Sequence, residues 1–243
     1  MSEQQSPSTA RVALVTGTSS GMGLHTAVEL PRRGLTVVAT MRDPSRAAAL
    51  TDAAREAGVE LAVRALDVTD HEAARACVDG VITDHGRIDV LVNNAGRGAV
   101  ATAEQLSIGD VRDQLEVNYL GPVALTKLVL PHMREAGSGT ILTVASIAAK
   151  RVLPGSAVYT ATKMAVIGFS RVLAEEMRPH GVRVGVLVPG AVDTPLWDTL
   201  GAGPPREKML RPEDVARAAV LMATLPPHAS LEELTLLPAG GIL

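Results

Sequence analysis

Apolar residues in this chain fall into short unbroken runs, each followed by a longer stretch with a helical spacing of apolar and polar positions. "RVALVTG" (Arg11–Gly17) is the first run, and its β-branched residues and closing glycine predict a buried strand. A helix is expected from about Met22 to Arg33, stopping at Gly34. Pro31 lacks an N–H and should end or kink its last turn. The pattern then repeats. "LTVVAT", "ELAVRALDV", "IDVLVNNAG", "GTILTVAS", "VRVGVLVPG" and "EELTLL" read as strands. Between them, "PSRAAALTDAAREAG", "DHEAARACVDGVITDHG", "SAVYTATKMAVIGFSRVLAEEMRPHG" and "RPEDVARAAVLMATL" read as helices. A longer helical stretch runs from about Glu104 to Glu135, with Gly121-Pro122 as the place where it breaks.

Strands that are apolar throughout, rather than alternating, are buried on both faces. Their regular exchange with helices predicts an α/β domain, a doubly wound parallel sheet with helices on both faces. No linker-like segment or internal repeat divides the chain, so residues 11–243 read as a single domain behind a polar tail of residues 1–10.

Composition narrows the function classes. The 243 residues are 47% hydrophobic and 20% charged, enough for a large core. Aromatics are 2%, so Ala, Val and Leu must fill that core. The net charge of −3 has interspersed signs, and no basic block points to nucleic acid or a membrane surface. Cys77 is the sole cysteine and reads as a buried helix residue; the six histidines are scattered, so no metal site is expected. The start "MSEQQSPSTA" has no apolar segment, and "TILTVASIAA" is too short to span a bilayer. A cytoplasmic protein is the expectation.

In open parallel sheets, ligands bind beyond the carboxyl ends of the strands. Four of those ends carry distinctive residues: "TGTSSGMG", "DVT", "NNAG" and "PGAVDT". In the first, Gly17 permits a tight turn, while Gly21 and Gly23 let backbone approach a ligand and a neighbouring strand. The helix that follows offers N–H groups and a positive dipole end to phosphate. The spacing is GxxxGxG, and its place after the first strand favours a dinucleotide. Where an NAD site usually holds an acid for the ribose 2′-hydroxyl, this chain has Met41 followed by Arg42. Methionine cannot accept that hydrogen bond, and arginine can grip a 2′-phosphate, with Ser19 and Ser20 as added hydroxyl donors. The reading favours NADP(H) over NAD(H); its alternative has Arg42 solvated or paired with Asp43, or Asp43 itself reaching the ribose.

Tyr159 is one of two tyrosines and stands four residues ahead of Lys163, on the same helical face. A phenol with a pKa near 10 is a weak proton donor or acceptor at neutral pH, and a neighbouring ammonium should lower that value. Ser146 ends the strand "GTILTVAS", and its hydroxyl can hold a carbonyl or alcohol oxygen. Asn118, polar inside an amphipathic helix, completes the group.

Together these motifs resemble the short-chain dehydrogenase/reductase family, in its common branch of about this length. The resemblance covers the chain after the tail, in the family's motif order, and implies a Rossmann-type fold. It implies that Gly17, Thr18, Ser19, Ser20, Gly21, Met22 and Gly23 wrap the pyrophosphate and adenosine ribose, and that Asp67 and Val68 flank the adenine. Asn94, Ala95 and Gly96 would line the cofactor, and Asn93 would steady its strand. Tyr159 would be the catalytic acid or base, and Lys163 would bind the nicotinamide ribose and lower the Tyr159 pKa. Ser146 would orient the substrate oxygen, and Asn118 would hold a water in a proton relay. Pro189, Gly190, Val192 and Thr194 would contact the nicotinamide end, and residues from about 191 to 211 would form the substrate lid. A homodimer or homotetramer is implied as well. Two places depart from the family pattern: Pro31, and the ending "ELTLLPAGGIL".

The expected activity is reversible hydride transfer between a nicotinamide and a ketone or aldehyde, more often in the reductive direction. The alternative is a non-catalytic NADP(H)-sensing regulatory protein on the same fold. Leu196, Trp197, Leu200 and Met209 make the lid partly apolar, which fits either a ring-bearing or long-chain ketone or simple packing onto the core. Arg97, Lys150 and Arg151 read as solvated surface charge rather than as a site for an anionic substrate.

Overall fold

The computed structural model describes residues 10–200 and 203–241, so nearly all of the polar tail lies outside it. Seven parallel strands form one sheet in the order β3-β2-β1-β4-β5-β6-β7. They are β1 (Val12–Thr16), β2 (Thr36–Met41), β3 (Ala62–Ala65), β4 (Val90–Asn93), β5 (Gly139–Val144), β6 (Val182–Pro189) and β7 (Glu233–Leu236). The helices are α1 (Gly21–Glu29), α2 (Ala48–Ala57), α3 (His71–His85), α4 (Ile108–Leu115), α5 (Gly121–Glu135), α6 (Ala157–Met177), α7 (Leu196–Leu200) and α8 (Pro212–Thr224). The expected single-domain doubly wound sheet is what forms.

Alternate residues of each strand feed two separate cores. Ala13 and Val15 pack under α1, α2 and α8, while Val12 and Leu14 pack under α3, α5 and α6. Both faces are covered, so neither set can be polar, and this removes the period-2 pattern from the sequence. The edge strand β3 is the exception, with Ala62 and Ala65 exposed.

Three elements differ from expectation. Helix α1 ends at Glu29, and Pro31 opens a separate 3-10 turn (Pro31–Arg33), where its missing N–H costs nothing. The long helical stretch does not break at Gly121-Pro122, because Pro122 sits at the first turn of α5. Its irregularity lies one turn earlier, as a π-helical turn over Glu116–Leu120. The short helix α7 had no signature in the pattern. Among the described residues, no helix is long and apolar enough to cross a membrane.

Candidate active site

The strand order reverses direction between β1 and β4, and such a switch point leaves a crevice above the carboxyl ends. Thr16, at the tip of β1, closes the bottom of that crevice. Its hydroxyl donates to Val92 O at 3.3 Å and accepts from the Asn94 and Ala95 N–H groups, each at 3.0 Å. Asn94 returns the link, donating its side-chain amide to Thr16 O at 2.9 Å and Gly17 O at 3.0 Å. "TG" and "NNAG" are therefore one hydrogen-bonded unit.

The glycine turn leaves no room for side chains. Gly17 has φ +70°, and a Cβ there would lie 2.7 Å from Ala95 Cα. A Cβ on Gly23 would lie 2.3 Å from both Gly17 O and the Asn94 side-chain nitrogen. Helix α1 begins without a side-chain cap from Ser20 and without an acid in its first turn. The turn is a backbone cradle with free N–H groups and no acidic side chain in the first turn of α1, a geometry suited to an anion.

Around it opens a cleft of about 920 Å³. From the notable sequence positions, Gly17, Ser19, Ser20, Gly21, Met22, Gly23, Arg42, Asp67, Val68, Asn94, Ala95, Gly96, Tyr159, Lys163 and Thr194 line it. Thr18 does not; its buried hydroxyl donates to Thr40 O at 3.1 Å and holds the turn to β2. Ser146, Asn118, Pro189, Gly190 and Val192 also stand behind the lining. Val192 is buried and its carbonyl accepts from the Trp197 indole at 2.9 Å, while the Gly190 N–H donates to Leu236 O at 2.8 Å.

At the adenosine end, Met41 is buried and Arg42 is exposed on the cleft. Arg42 has no ion-pair partner among the described residues. Asp43 does not meet it, because its carboxylate accepts from the Ser45 N–H at 3.0 Å and the Ser45 hydroxyl at 2.6 Å. Those bonds hold the Asp43 pKa below its usual value. Asp67 likewise is engaged by its own turn, accepting from the Thr69 N–H at 3.0 Å and hydroxyl at 2.8 Å.

At the other end stand the ionisable groups of α6. Lys163 is buried, donates to Val144 O at 2.8 Å, and lies 5.7 Å from the centre of the Tyr159 ring. Burial lowers its pKa to about 8. Tyr159 runs against expectation: burial raises its pKa, and the neighbouring Ser146 hydroxyl only opposes that shift. An apolar surrounding penalises the phenolate more than the nearby groups favour it.

Asn118 sits in the π-helical turn, and its side chain is fully engaged. Its Oδ1 accepts from the Arg97 N–H at 2.8 Å, and its amide donates to Arg97 O at 2.7 Å and Thr162 Oγ1 at 3.1 Å. Thr162 in turn donates to Tyr159 O at 2.8 Å. Asn118 therefore ties the loop after β4 to the helix that carries Tyr159. Tyr119 adds an edge-on contact with Phe169, at 6.4 Å between centroids. A missing Cβ at Gly96 leaves space 3.5 Å from Asn118 Oδ1 and 3.6 Å from Lys163 Nζ.

Sequence reasoning missed Thr16 and Thr162, whose roles rest on tertiary partners. The three cations read as solvated surface charge all have partners, and Arg97 also lines the cleft. Arg97 pairs with Asp113 at 3.2 Å, Lys150 with Glu233 and with Thr235 at 2.8 Å, and Arg151 donates to Lys150 O at 3.2 Å.

The family profile described as short chain dehydrogenase matches residues 11–204. The chain belongs to the short-chain dehydrogenase family. An uncharacterized oxidoreductase of Staphylococcus saprophyticus is 36% identical over 234 residues, which are 94% of this chain and 97% of that one. Among solved structures, an alcohol dehydrogenase of Thermococcus sibiricus complexed with 5-hydroxy-NADP superposes with a TM-score of 0.85 at 33% identity, covering 95% of this chain and 97% of that one. A 3-ketoacyl-(acyl-carrier-protein) reductase of Brucella melitensis complexed with NADH gives 0.85 at 32% identity, covering 94% and 97%. In this short-chain dehydrogenase, the glycine turn, "NNAG" and the Tyr159–Lys163 helix open on one cleft.

Proposed function

We propose that this short-chain dehydrogenase interconverts a ketone or aldehyde and the corresponding alcohol using NADP(H), with Tyr159 as the proton donor or acceptor. One observation carries the reading: Tyr159 and Lys163 open on the same cleft as the glycine turn. The backbone cradle fits a dinucleotide, because every position where a side chain would block it is glycine. When bound, the nicotinamide supplies or accepts the hydride.

The protein's own residues do the rest. Ser146 stands behind the lining with its hydroxyl beside Tyr159, and would orient the phenol toward the substrate oxygen. Tyr159 gives its proton to that oxygen in reduction and takes it back in oxidation. Lys163, fixed by Val144 O, presents its remaining donors to the cofactor ribose. Asn118 acts through position, keeping the loop after β4 and α6 in register, and a relayed water would have to be held by its main chain. Pro189, Gly190 and Val192 would shape the nicotinamide end from behind the wall that Thr194 lines.

Preference for NADP(H) is supported by Arg42, unpaired on the cleft, and by Asp43 being committed to Ser45. Leu120, Met164 and Val172, apolar and exposed along the π-helical turn and α6, suit the homodimer or homotetramer contact that the family resemblance implies.

The test is Tyr159→Phe. It should bind NADPH as the parent does and lose carbonyl turnover by several orders of magnitude. Turnover within tenfold of the parent refutes the assignment, and a parent that binds NADPH without turning over any carbonyl or alcohol is a sensor instead.

A further inference from the structure

The wall of the cleft facing the glycine turn is built from Thr194, Pro195 and Leu196. Thr194 comes so near that a Cβ on Gly21 would lie 3.0 Å from its methyl group. A segment lying there controls how closely the cradle can be covered, so what holds it matters.

Its root is fastened by backbone. Leu210 N–H donates to Ala191 O, and Asp193 N–H donates to Leu210 O, both at 2.9 Å. Beyond Asp193 the backbone bonds become local, Trp197 N–H to Thr194 O at 3.2 Å and Asp198 N–H to Pro195 O at 3.1 Å, and one side chain reaches across the stretch. Arg206 reaches across to Asp193 Oδ1 at 2.5 Å, Thr194 O at 2.9 Å and Asp198 Oδ1 at 2.5 Å. The guanidinium thus spans the stretch that lines the cleft, gripping it on both sides of Pro195 and Leu196. Trp197 lies inside this span and donates to Val192 O at 2.9 Å.

We infer that Arg206 is a positioning residue for cofactor retention: its three-point clasp holds the Thr194–Leu196 wall against the glycine turn. The inference rests on the dinucleotide reading of the cleft. Separate exposed ion pairs contribute little, because water screens them and two long side chains must be ordered. Here a single planar guanidinium serves two carboxylates and a carbonyl at once, so its ordering cost is met once for three contacts. Losing the clasp weakens cofactor binding through the wall it holds, and does not touch the proton-transfer groups.

The chain's one tryptophan makes this measurable, since all indole emission comes from Trp197, within the clasped span. The experiment compares parent, Arg206→Met, Arg206→Lys and Asp198→Asn. Emission spectra are taken without cofactor, NADPH binding by its own fluorescence, and NADPH KM and kcat where a substrate is available. Arg206→Met should shift or broaden the Trp197 emission and raise the NADPH Kd and KM about three- to tenfold, with kcat within twofold. Arg206→Lys should recover part of the loss, since lysine restores charge without the fork. Asp198→Asn removes one of the three contacts, so it should shift emission and weaken binding in the same direction, by less than Arg206→Met. An Arg206→Met protein with parental emission and a Kd within twofold of the parent overturns the inference. If that variant does not fold, Asp198→Asn decides: parental emission and binding there overturn it equally. A parent that fails to bind NADPH sinks the functional reading, while the emission comparison still decides whether the clasp holds the wall.

Discussion

Gly23→Ala puts the largest demand on the geometry of the cleft. The new methyl group would sit 2.3 Å from Gly17 O and 2.3 Å from the Asn94 side-chain nitrogen. An unstrained carbon contact needs about 3.5 Å, so one partner must retreat by roughly 1 Å. Gly17 O is backbone in a tight turn and cannot swing away. The Asn94 side chain must be displaced, which breaks its amide bonds to Thr16 O and Gly17 O, and the start of α1 shifts with it. Each lost bond costs about 1 kcal/mol, and overpacking adds about 1–3 kcal/mol. The expected destabilisation is about 3–5 kcal/mol, or roughly 6–20 °C in Tm for a domain of this size. NADPH affinity should fall at least tenfold, because the same displacement misplaces the phosphate-facing amides. Thermal melts and NADPH titration measure the two effects side by side. A Gly23→Ala protein that melts within 2 degrees of the parent and binds NADPH within about twofold would show that the cradle is not the rigid element described.

Arg42→Ala should weaken NADPH binding about tenfold and leave NADH within twofold, as expected for one charge-assisted contact to a 2′-phosphate; parallel titrations decide, and equal losses for both cofactors would refute the role. Lys163 has a folded pKa of about 8 against an ordinary value of 10.5. Between those values the unfolded chain binds more protons than the folded one, so this group makes stability rise with pH, by up to about 1.4 kcal/mol per unit. Urea midpoints measured from pH 8 to 10 should show a steeper rise in the parent than in Lys163→Met, and identical slopes would contradict the buried amine. Asp89→Ala removes the acceptor of the Val12 N–H at 2.7 Å and of the Arg87 guanidinium at 2.8 and 2.5 Å. It should cost about 2–3 kcal/mol in denaturant unfolding, yet spare NADPH affinity, because it sits at the end of the sheet away from the cleft.

The sheet was readable from sequence because burial on both faces leaves continuous apolar runs, as in Val12–Thr16 and Val182–Pro189. The glycine turn and the Tyr159–Lys163 pair were readable because their spacing is local. What escaped depends on distant partners. Asn118 was singled out as a misfit, but its hold on Arg97 and Thr162 joins elements far apart in the chain, and no periodicity encodes that. The helix irregularity was assigned to Gly121-Pro122 from composition, whereas proline at a first turn is harmless and the π-helical turn lies at Asn118 itself. The lysine beside Tyr159 is visible in sequence, whereas the burial that pushes the phenol's pKa up is not.

Thr16 is one residue at a strand tip, yet it gives the floor of the crevice an unusual dynamic character. The Asn94 and Ala95 amides belong to a loop and would ordinarily exchange with solvent deuterium as fast as any loop tip. Held by a hydroxyl that is 1% exposed, they can open only when β1 and β4 separate. Hydrogen exchange at these two amides should therefore run at the pace of global unfolding, so that the floor of the crevice survives until the sheet itself gives way.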